Sequence, residues 1–137
     1  MISVAMVLFS GAPALSIAHE GMKHGGEKMA GTTARQHRLM ADYAETRAEI
    51  GKALEKGNAA SVEAGAWRIL SSIQDLRKVR PHKHRAEHKA FLRIAAGFEA
   101  EMKSVSRMAK RGDIAGAREV FRIAEKSCDD CHARFRD

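Results

Sequence analysis

Two cysteines and a histidine close to the C-terminus have a spacing with few chemical uses: Cys128-Asp129-Asp130-Cys131-His132. It is the spacing of a c-type haem attachment site. On a helix these three positions are related by i, i+3 and i+4, so they share one face. Two thiols placed this way can add to the two vinyl groups along one porphyrin edge. The imidazole of His132 then reaches the iron as its proximal ligand. Three other uses compete. A thioredoxin-like redox pair needs a βαβ setting, which the pattern does not supply. A zinc site would have to recruit His82, His84 or His88 from another helix. A disulfide fits badly across i, i+3 inside a helix. Covalent haem c is therefore the expected cofactor.

The elements that must carry this motif are helical. Proline occurs only twice, and no segment alternates as a strand does. Four stretches have apolar residues at 3–4 spacing. The first starts at a capping box, Thr33-Ala34-Arg35-Gln36, and its face is Met40, Tyr43, Arg47, Ile50 and Leu54, ending at Gly57. The second begins at Asn58, a good N-cap, and carries Val62, Ala66, Trp67, Leu70, Ile73 and Leu76 until Pro81 stops it. The third runs from about His84 to Arg111 with Phe91, Ala95, Phe98, Met102, Val105 and Ala109. The fourth follows an Asp113 cap with Ile114, Ala117, Phe121, Ala124, Cys128, Cys131 and Phe135. Short connections between long helices predict an all-α, antiparallel up-down-up-down four-helix bundle, with haem c attached on the last helix. Aromatics are only 5% of the chain, and a porphyrin would supply the missing flat bulk.

Length and charge narrow the remaining choices. A chain of 137 residues supports one domain. Met1 to Ala18 lacks charge, has an apolar run from Ile2 to Phe9, and ends in Ser16-Ile17-Ala18, as a secretory signal peptide does. Gly11 and Pro13 break it, so no membrane span is expected after processing. Residues 19–31 contain four glycines and read as a flexible lead-in, which leaves 32–137 as the haem-binding domain. The lead-in also holds His19, Met22, His24 and Met29, residue types that take copper. Export places the working protein in the periplasm.

A haem motif on the last of four helices resembles the cytochrome c′ family, which includes five-coordinate gas-binding members and methionine-ligated electron carriers. The resemblance covers roughly residues 33–137. It rests on Cys131-His132-Ala133-Arg134-Phe135-Arg136 at the end and Arg35-Gln36 on the first helix. It implies that Arg35 faces a haem propionate and that Arg136 lies beside the His132 ring. It also implies a distal position about one turn after Arg35, where His37, Leu39 and Met40 compete. Counting from Arg35 gives Leu39 and an open iron. The helical stripe through 40, 43, 47, 50 and 54 gives Met40, which is the expected distal ligand. Dimerisation through the first two helices is common in the family.

Net charge is +7, yet residues 77–93 alone carry Arg77, Lys78, Arg80, Lys83, Arg85, Lys89 and Arg93 against Glu87. This joint is either a solvated turn or a docking surface for an acidic redox partner. Nucleic acid is not expected, because aromatic interleaving is lacking. No Ser/His/acid or paired-carboxylate arrangement points to hydrolysis. The functional expectation is a one-electron carrier, not an enzyme. A protein binding nitric oxide or carbon monoxide at an open iron is the alternative. Metal handling through the His/Met segments is the second alternative.

Overall fold

The computed structural model describes residues 23–136, with side chains from Thr33 onward. The signal-peptide expectation and the His19 and Met22 part of the copper reading lie outside the described residues, as do the side chains of His24 and Met29. The described chain is all-helical, without strands, and compatible with a helical bundle. Five α-helices follow in order: α1 (Lys23–Glu55), α2 (Ala59–Ser71), α3 (Ile73–Lys78), α4 (His88–Lys110) and α5 (Ile114–Phe135), with a short 3₁₀ turn at Arg85–Glu87 before α4. None of them is long and apolar enough to cross a membrane.

Local rules account for one set of turns. Asn58 accepts a hydrogen bond from the Ser61 N–H at 3.1 Å, and Asp113 accepts one from the Gly116 N–H at 2.8 Å. Each satisfies a backbone donor that the first helical turn leaves open. Gly57 and Gly112 precede them at φ 67° and 78°, backbone that a Cβ disfavours. Arg118 on α5 donates to the Leu54 carbonyl at 2.8 Å, tying the two turns together.

Three helix boundaries differ from expectation. The helix α1 begins at Lys23, so Thr33 and Gln36 are interior residues and form no N-terminal capping box. Residues 23–31, part of the stretch read as a lead-in, belong to α1. Extending a nucleated helix costs much less than starting one, which offsets the glycines there. The second expected helix is broken at Ser72. The Ser72 hydroxyl lies 3.1 Å from the Ile69 carbonyl and 3.2 Å from the Tyr43 hydroxyl, which itself lies 3.4 Å from that carbonyl. A side chain bonding back to the preceding turn competes with the backbone ladder. Finally, α3 stops at Lys78, before Pro81, and α4 starts at His88. Between them Val79 is extended and His84 is left-handed at φ 52°.

The core follows the predicted stripes. All six stripe residues of α4 are buried, as are Ile50, Leu54, Val62, Ala66, Ile73, Leu76, Ala117, Phe121, Ala124 and Phe135. Trp67 departs, being 60% exposed. It lies one residue after Ala66 and therefore about 100° round the helix from the buried face, where Ile69 sits instead. Helix α1 packs on α2, α2 on α4, and α4 on α5, while α1 and α5 meet only sparingly. Gly65 lets α1 and α2 approach closely: a Cβ there would stand 2.5 Å from Ile50 Cγ1.

Candidate functional site

The loosely packed side between α1 and α5 holds a cavity of about 280 Å³. Helix α1 contributes Met40, Tyr43 and Arg47. Helix α5 contributes Cys128, Cys131 and His132, with Arg136 just beyond its end. Phe91, Ala95 and Phe98 from α4 and Ile69 and Leu76 from the broken second rod make an apolar floor. Five sequence-predicted site residues thus line one space: Met40, Cys128, Cys131, His132 and Arg136. Leu39 and His37 are not among the lining residues. The His37 ring instead lies 5.6 Å from that of His82. Arg35 is exposed and also stands outside the lining.

Electrostatics set the protonation of the donor groups. Burial pushes the Cys128 thiol up to about 11, with Arg47 opposing and Asp129, Cys131 and Glu125 reinforcing. Burial also raises the Cys131 thiol. Burial lowers the His132 imidazole, and the neighbouring Arg136 cation lowers it further. At neutral pH the site therefore presents two protonated thiols and a neutral imidazole with a free lone pair. The thiols are not bonded to each other.

Sequence reasoning missed several lining groups. Arg47 of α1 and Glu125 of α5 pair at 3.7 Å across the sparse seam, and both line the cavity. The signal for Arg47 was visible: a cation on an otherwise apolar stripe. Glu125 stands three residues before Cys128, hence on the same face. Tyr43 is held by Ser72 and by the Ile69 carbonyl, a contact between distant segments with no local signature. Burial raises its hydroxyl pKa, with the Ser72 bond opposing.

Comparison with protein-family models, with curated proteins and with solved structures gives no match. The site is thus read from its own chemistry. Among the described residues no three His, Cys, Asp or Glu side chains converge as they would around a bare metal ion. His82, His84 and His88 do not gather: His84 Nδ1 lies 3.0 Å from a Glu87 oxygen, and His88 stacks on Phe91. The residues present do suit a flat, mostly apolar group with an acidic edge. The floor is aromatic and aliphatic, Arg136 is a lining cation without an ion-pair partner among the described residues while Arg47 is paired with Glu125 and Asp129 adds an acid, and two thiols and an imidazole come from one helix face.

Proposed function

We propose that this chain is a periplasmic monohaem c-type cytochrome, similar to the cytochrome c′ family, that carries one electron at a time and is not an enzyme. The helices would form an antiparallel up-down-up-down bundle. One observation carries the reading: the attachment motif on α5 and Met40, about ninety residues earlier on α1, line the same cavity. When bound, haem c supplies reversible one-electron chemistry at its iron.

The remaining work falls to named residues. Cys128 and Cys131 would hold the group through two thioethers. His132, whose imidazole pKa is lowered by desolvation and by the Arg136 cation, would offer its lone pair to the iron. Met40, lining the same cavity, would be a second residue able to hold the iron; a thioether ligand raises the potential and excludes external ligands. Phe91, Phe98 and Phe121 keep water away and lower the local dielectric. Arg136 would lie beside the His132 ring, as the resemblance implies, and it, not Arg35, lines the cavity where an acidic edge would need a cation. The carrier would exchange electrons with a second redox protein.

Absorption spectroscopy of protein matured with haem-attaching machinery tests this. The expected spectrum is low-spin with a sulfur-to-iron charge-transfer band in the far red, and Met40→Ala is expected to convert it to high spin. A high-spin protein that responds to carbon monoxide would assign it to gas binding. Absence of haem after such maturation would remove both readings.

A further inference from the structure

The cations of the joint between α3 and α4 are not equivalent. Arg77 reaches Glu99, which also pairs with Lys103 at 2.6 Å, and Lys78 pairs with Asp75 at 3.2 Å. Glu87, the single acid of the stretch, is shared by His84 and Arg134. Arg80, Lys83, Arg85, Lys89 and Arg93 are exposed, and among the described residues none has an ion-pair partner. The positive field is thus concentrated on residues 80–93.

This face is fastened to the helix that carries the attachment motif. The Lys83 N–H donates to the Phe135 carbonyl at 3.4 Å. The Phe91 and Phe135 rings meet edge to face at 5.6 Å, and Arg134 pairs with Glu87. Phe135 is three residues beyond His132. A body resting on the joint would therefore sit against the end of α5, beside the cavity.

We propose that Arg80, Lys83, Arg85, Lys89 and Arg93 form the docking face for an acidic redox protein. The redox part rests on the cytochrome reading above; the docking part does not. Charge complementarity speeds encounter and fixes orientation more than it adds affinity, which suits a partner that must leave after one electron. A membrane surface fits less well. Surface-binding elements set apolar side chains beside their cations, and among the described residues the exposed large hydrophobics, Trp67 and Ile123, lie on α2 and mid-α5, away from the joint.

The test uses the full haem-loaded protein and three probes: a poly-L-glutamate peptide, phosphatidylglycerol vesicles, and the absorption spectrum. The variant Arg80→Gln/Lys83→Gln/Arg85→Gln is compared with Lys52→Gln/Lys110→Gln/Arg111→Gln at the other end. All six residues are exposed, so both variants are expected to fold. The joint variant is expected to weaken peptide binding at low salt by about tenfold and the control by less than about twofold. Neither should change the spectrum or sediment with vesicles at physiological salt. Equal losses in the two variants, or no peptide binding by the parent, would overturn the docking face. Vesicle binding abolished only in the joint variant would assign the face to a membrane and overturn it also. Protein that takes up no haem on maturation yet binds the peptide through the joint would overturn the redox role alone.

Discussion

The two ends of the molecule are built by different rules. At one end the α1–α2 and α4–α5 turns use glycine in the left-handed region followed by a capping Asn or Asp. Each is capped by neighbours within a few residues, and a single long-range bond, from Arg118 to the Leu54 carbonyl, joins the two. At the other end the α3–α4 joint uses His84 in that same left-handed region, without a side-chain cap. Its hold comes from far away in sequence: Phe135, Arg134 and, through the His37–His82 ring contact, α1. Charge divides the same way. Residues 49–63 and 107–119 together hold six cations and five acids, whereas 77–93 holds seven against one. The locally specified end is nearly neutral and holds no part of the candidate site. The end assembled by long-range contacts carries the charge and borders the cavity.

Breaking the long-range end should cost most. Phe135 is 4% exposed and anchors the joint. Phe135→Ala is expected to lower stability by about 3–5 kcal/mol in chemical denaturation. It should also accelerate hydrogen exchange at the Lys83 amide while leaving the amides around Gly112 protected. Uniform loss of protection at both ends would erase the distinction between them.

The locally specified end should yield small and additive losses. Asn58→Ala and Asp113→Ala are each expected to cost about 1 kcal/mol by the same measurement, and their sum should appear in the double variant because the sites share no partner. A much larger or strongly coupled loss would mean that this end also depends on distant contacts.

The smallest effect, nil near neutrality, concerns the thiol beside the cavity. Cys128 is raised by burial from 9.0 to about 11, so the folded state holds its proton more tightly than the unfolded one. The stability this contributes is complete below about pH 9 and is lost as pH rises through about 11. Haem-free chain should thus melt at a constant temperature around pH 7–8 and at falling temperatures through that alkaline window. In Cys128→Ser the decline should shrink, leaving the part owed to Tyr43, whose raised hydroxyl pKa acts in the same direction. An identical decline in that variant would show that the thiol is not buried as described.

Helix type and most of the core were legible. The α4 stripe and the bounds of α5 follow from 3–4 spacing and from Asp113, and both depend only on neighbours along one helix. The beginning of α1 was not legible, because Thr33 and Gln36 have the composition of a cap whether or not a helix precedes them. Nor was the break at Ser72, which involves Tyr43 twenty-nine residues away. Trp67 looked like core because a hydrophobic residue beside a stripe satisfies the pattern; only the packing of α2 on α1 and α4 assigns Ile69 to that place. At the site, Cys128, Cys131 and His132 were readable from spacing alone. The cavity-lining Arg47–Glu125 pair was not, since its partners are seventy-eight positions apart.

The sequence by itself determined a helical chain, the turns at Gly57 and Gly112, and a helix face bearing two thiols and an imidazole. Each of these rests on the 100° step of a helix or on a cap bonding its own first turn, and neither needs a partner helix. Tertiary structure alone decided which side stays open, that the stripe residue Met40 shares that space with the α5 motif, and which basic residues are left without an ion-pair partner. Those outcomes depend on where Glu99, Glu87, Tyr43 and Phe135 arrive in space. That is set by how whole helices pack, and local periodicity does not encode it.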